Sequence, residues 1–147
     1  MTMLRSIVVE KLLPHPPDLI WHALTNSGLI SQWLMPNDFV PVVGHRFTFT
    51  TRPIGEWDGV VHCQVLVCEP PSLLRYSWSG GTKTPNQYAA SLDSTVTWTL
   101  TPAKDGTHLR LEHAGFRSPD NDFAFNTMSG GWNGIMSRIA DIVGALV

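Results

Sequence analysis

The sequence is short of charge. Asp, Glu, Lys and Arg make up 15% of its 147 residues, against about 25% in an average globular chain. Ten basic and twelve acidic residues leave a formal net charge of −2. The basic residues are dispersed singly, so no stripe could neutralise a run of phosphates, and neither nucleic acid nor an anionic membrane is an expected partner. No apolar run approaches the ~18 residues of a membrane span, and Met1 to Asp18 hold no continuous stretch of signal-peptide length. The expectation is a soluble, cytoplasmic protein. Cysteine is scarce as well. Cys63 and Cys68 lie five apart in a strand-like run, an odd offset that predicts opposite faces of a sheet and no disulfide.

Chemical signatures are also missing. Metal sites need several His, Cys or carboxylate ligands at spacings such as CxxC or HxxxH. Here His108 and His113 sit five apart on a strand with opposite facing, His15 and His22 flank a helix start, and His62 adjoins Cys63 with the other parity. No metal and no cofactor is expected. Neither Ser129-Gly130-Gly131 nor Ser79-Gly80-Gly81 matches the GxSxG elbow of a nucleophilic serine, and Gly130, Gly131 and Gly134 fit neither a Walker loop nor GxGxxG.

What the chain does have is bulk. Apolar residues form 43% of it and six are tryptophan. Residues 1–147 suit one domain, and a domain of this size buries ~70% of its unfolded surface without needing a staple. Leu4 to Leu13 form a β-branched, apolar run that Pro14, Pro16 and Pro17 terminate. Pro17-Asp18 then opens a short helix to about Leu24, with Ile20, Trp21 and Leu24 on one face. Thr25-Asn26-Ser27 offers N-cap chemistry for a second helix through Leu29, Ile30, Trp33 and Leu34, stopped by Pro36.

From Val42 the period falls to two, with Phe47, Phe49 and Thr51 on one face. The alternation recurs at Val61 to Val67, Leu74 to Trp78, Val96 to Leu100 and Thr107 to His113, separated by Pro- and Gly-bearing turns. Ser79 to Ser91 reads as a long polar loop, the kind that carries function. Arg117 to Asn121 reads as a further loop. Met128, Trp132, Ile135, Ile139, Ile142 and Leu146 restore a helical period in one long C-terminal helix. Its three early glycines each cost about 1 kcal/mol against alanine, so close backbone approach or room for a guest is expected there. The order is strand, two short helices, five strands, long helix: an α+β domain with helices on one face of an antiparallel sheet.

This order is similar to the helix-grip arrangement of the START and Bet v 1-like (SRPBCC) superfamily. Glu10-Lys11-Leu12-Leu13 with Pro16-Pro17-Asp18-Leu19-Ile20-Trp21, then Ala23-Leu24-Thr25-Asn26 and Trp33, resemble the opening of its AHSA1-like subfamily, named after the activator of Hsp90 ATPase. Asn37-Asp38-Phe39, Val43-Gly44-His45-Arg46-Phe47, Trp57-Asp58-Gly59 and Pro70-Pro71-Ser72-Leu73-Leu74 follow in the subfamily's order, as do Ser94 to Leu100, Gly106-Thr107-His108-Leu109 and Gly131-Trp132. The resemblance spans nearly the whole chain and rests on turn and core residues. It implies a curved six-stranded antiparallel sheet wrapped around the C-terminal helix, with a cavity between them.

A cavity of that kind is apolar and aromatic with a few polar groups. Strand parity puts Phe47, Phe49, Tyr76, Trp78, Trp98, Leu100 and His113 on one sheet face, and helical spacing brings Trp132, Ile135 and Met136 towards them. These, Leu100 apart, are the candidate ligand-binding residues, and the same side chains also serve as an ordinary core. His113 and Tyr76 are candidates for an acid or base. Trp57 edges the cavity or pins a hairpin. The expected partner is a small hydrophobic molecule, with a homodimer left open. Two alternatives stand beside binding: a cyclase, aromatase or hydrolase acting on a hydrophobic substrate, and a chaperone-associated interaction or stress-response role implied by the family name alone.

Overall fold

The computed structural model describes residues 3–53, 58–80 and 92–147. Strand β1 (Met3–Leu13) is followed by helices α1 (Pro17–Thr25) and α2 (Ser27–Trp33), then strands β2 (Arg46–Thr50), β3 (Val60–Glu69), β4 (Leu73–Gly80), β5 (Leu92–Ala103) and β6 (Gly106–Ser118), and helix α3 (Asp122–Ala145). The local signals act where the residues place them. Pro16 is the N-cap of α1, with Pro17 at its first position and Asp18 in its first turn. The Asn26 side chain accepts the Leu29 N–H at 3.0 Å and caps α2.

The six strands form one antiparallel sheet in the order β1-β6-β5-β4-β3-β2, so β1 and β2 are its edges. It curves as in the Bet v 1/SRPBCC fold. Helix α3 crosses its inner face against β1 and β6 and is flanked by α1 and α2. The core lies between that face and the helices, with Leu13, Val96, Trp98, Leu109 and Ile139 all buried.

Several boundaries depart from the sequence reading. Strand β2 begins at Arg46, and Val42 and Val43 are exposed in the turn before it. Arg117 and Ser118 extend β6, and α3 begins at Asp122. Cys68 does not take the face opposite Cys63. The register shifts between Val65 and Val67, and beyond it Cys68 stands opposite the buried Leu74. One extra residue in a strand inverts the parity of everything after it. Both thiols are free.

Nor do the glycines of α3 mark a close approach. A Cβ at Gly130, Gly131 or Gly134 would meet nothing within 4 Å. Trp57 and most of the predicted loop, residues 81–91, lie outside the described residues.

Candidate functional site

The inward rows of β2, β4 and β5 carry Phe47 and Phe49, Tyr76 and Trp78, and Trp98 and Leu100, all buried. Strand β6 adds His113, and α3 lowers Trp132 onto the rings, with Ile135 and Met136 buried in the same cluster. The aromatic side chains touch in a closed circuit. Ring centroids stand 5.4 Å apart for Phe47–Phe49 and Phe49–Trp78, 5.6 Å for Trp78–Trp132 and 5.9 Å for Trp98–Trp132. The Trp98 indole N–H donates to the Tyr76 hydroxyl at 3.1 Å, and Tyr76 returns to Phe47 at 5.4 Å. Most pairs are edge-to-face, the arrangement that the aromatic quadrupole favours by about 0.5–1.5 kcal/mol each. Among the described residues, neighbouring rings along the circuit are in contact. A pocket of ≈350 Å³ is lined by Asp38, Phe47 and Cys63 together with Arg46, Thr48, His62, Gln64, Ser77 and Ser79, the last six having outward parity on β2, β3 and β4.

His113 ties four elements together. The Trp132 indole N–H donates to its Nδ1 at 3.0 Å. An indole can only donate, so Nδ1 holds the lone pair and the proton sits on Nε2. Nε2 then donates to Ser94 Oγ at 2.8 Å, and the Ser94 hydroxyl donates to the Trp78 carbonyl at 2.7 Å. Every polar atom in the chain from α3 through β6 and β5 to β4 has its partner. Burial lowers the His113 pKa to about 3, because an imidazolium there would lack solvent and would aim a second N–H at the Trp132 donor. In this arrangement His113 has no lone pair left to accept a substrate proton.

Tyr76 is different. Its oxygen accepts from Trp98, but no hydrogen bond of its own hydroxyl proton is found among the described residues. Burial raises its pKa, so it stays a neutral donor. Burial likewise pushes the Cys63 thiol up and keeps it from thiolate chemistry. Among the described residues no group of three or more His, Cys, Asp or Glu could hold a metal ion, and no helix is long and apolar enough to cross a membrane.

Two neighbours of the site were not among the sequence candidates, and one of them escapes a plain period-two reading. Ser94 has the parity of Val96 and Trp98 and is legible as an inward hydroxyl. Phe116 has the wrong parity for His113, yet it is buried with its ring 4.6 Å from the imidazole. Gly115, at φ +108°, is the extra residue of a bulge that takes Arg5 to Phe116 and Ser6 to Ala114. A glycine inside a strand is the signal that could have found it.

A sequence model of the family described as "Activator of Hsp90 ATPase homolog 1-like protein" matches residues 14–144. Comparison with curated proteins finds no match. Among solved structures, a protein from Mesorhizobium loti is 42% identical with a TM-score of 0.85, over 96% of this chain and 98% of its own. A protein from Bacillus halodurans is 25% identical with a TM-score of 0.76, over 97% and 99%. The Aha1 dimer from Colwellia psychrerythraea shares the fold at 16% identity and a TM-score of 0.73, over 95% and 96%.

Proposed function

We propose that this chain, which belongs to the activator of Hsp90 ATPase homolog 1-like family, binds a small hydrophobic molecule bearing an acceptor oxygen against the aromatic face between its sheet and α3. The observation that carries this reading is the buried Tyr76 hydroxyl, whose proton is engaged by no hydrogen bond among the described residues, in walls that are mostly apolar. Such a donor left unmet costs about 1–3 kcal/mol, and a ligand carbonyl or hydroxyl supplies what it lacks. Mostly apolar walls with a few orienting polar groups are the usual make-up of a small-molecule site. A guest lodges beside the ring circuit or parts it. The engagement of both His113 nitrogens favours holding a molecule over proton-transfer chemistry at that residue.

The test is calorimetry with two probes of matched shape, 2-acetylnaphthalene and 2-ethylnaphthalene, which differ in one carbonyl. The ketone should bind about tenfold more tightly, and Tyr76→Phe should erase the difference while leaving hydrocarbon binding in place. Equal affinities in the parent protein, or binding of neither probe, would overturn the reading. Native mass spectrometry of the protein purified from its host would then name the natural ligand.

A further inference from the structure

The two edges of the sheet are treated differently by the chain. At β2 the Asp38 carboxylate accepts the Thr48 N–H at 2.8 Å, Asn37 bridges Phe49, and the Thr50 N–H donates to the Pro36 carbonyl at 3.1 Å. That edge is covered by its own loop. Strand β1 is 11 residues long, and outside its ladder with β6 its backbone makes no hydrogen bond to any described loop or turn. A long edge of this kind is ordinarily guarded by charges, proline or a cover, since it templates pairing with another chain. Strand β1 has no proline, and its charges are held by its own molecule. Arg5 binds Asp122 at 3.2 Å and lies over the Phe125 ring, Glu10 faces His108 at 3.3 Å, and Lys11 donates to Ser137 at 3.4 Å.

The outward row of this edge, Leu4, Ser6, Val8, Glu10 and Leu12, is apolar at its centre and at both ends. Leu4, Val8 and Leu12 are 74%, 46% and 61% exposed, and they are spaced evenly about Val8. We propose that β1 pairs antiparallel with β1 of a second copy of this chain about a two-fold axis at Val8, joining the two sheets into one. In that register Val8 meets Val8 of the second copy and Leu4 meets its Leu12. Ser6 then faces Glu10 of the second copy. Cross-strand apolar pairs of this sort are the unit of sheet stabilisation. A two-fold contact must be self-complementary, and even spacing about one residue supplies that. On the inner side Arg5 meets Lys11 of the second copy, with Asp122 already beside Arg5 to offset the like charges. The α3 flank above β1, which includes Ser137, continues through Asn133 and Asn126 at helical spacing, so short side chains face the second copy's helix.

The experiment is sedimentation velocity over a concentration series up to about 500 µM, because edge-to-edge contacts lie at the small end of specific interfaces. The parent chain should shift from monomer to dimer across the series. Val8→Lys places like charges opposite each other at the axis and should weaken self-association at least about tenfold, with far-UV circular dichroism unchanged because Val8 is already exposed. The double variant L4K/L12K should likewise be monomeric, whereas L4K/L12E, whose opposite charges face one another only in this register, should recover the dimer. A parent chain that stays monomeric throughout, a Val8→Lys protein that still dimerises, or two double variants that behave alike would each overturn the proposal.

Discussion

At the scale of the residue, the hydrogen bonds of His113 run in one direction, from the Trp132 indole through the imidazole and the Ser94 hydroxyl to the Trp78 carbonyl. Ser94 is the link with both a donor and an acceptor duty. Ser94→Ala leaves the His113 Nε2–H buried without a partner, and should cost about 1–3 kcal/mol in a urea titration. A much smaller loss would mean that water takes the place of the hydroxyl. The role of Ser94 was legible in part, because its parity with Trp98 points it inward. Which of its neighbours it would bind was not, since His113 lies 19 residues away and on another strand.

At the scale of the element, α3 combines a well-packed face with an unusually weak backbone. Trp132, Met136, Ile139 and Val143 are buried along one side, while Gly130, Gly131 and Gly134 face open space. Their backbone angles are not in the left-handed region, so alanine fits each site without strain. Each of Gly130→Ala, Gly131→Ala and Gly134→Ala should therefore raise stability by about 0.5–1 kcal/mol, read as a higher midpoint in thermal unfolding. A loss at any of them would show that the open space is occupied when the protein works. The helix itself was plain from its periodicity, and so were the two short helices before it. The purpose of the glycines was not, because sequence alone does not distinguish a glycine that admits a neighbour from one that faces nothing.

At the scale of the whole molecule, the buried imidazole couples folding to pH. The folded protein holds His113 neutral down to about pH 3, with burial as the cause, whereas an unfolded chain protonates histidine near its ordinary value of about 6.5. Between those values the unfolded state binds one more proton, so stability is full above about pH 6.5 and falls by about 1.4 kcal/mol for each unit of pH below it, until the folded pKa is reached. Urea midpoints measured as pH is lowered should show this slope in the parent and a shallower one in His113→Asn; identical slopes would place the acid sensitivity elsewhere. The sequence by itself determined the order of elements, because periodicity, caps and turn residues act over a few neighbours and do not depend on what packs above them, and its segments carried the resemblance to the family. Only the tertiary structure decided which way Cys68 and Phe116 face, which nitrogen of His113 carries its proton, and which sheet edge stays open. The physical reason is that strand parity is a count. One bulged residue at Gly115 or between Val65 and Val67 inverts it, and the direction of each hydrogen bond is set by partners that folding brings from distant strands.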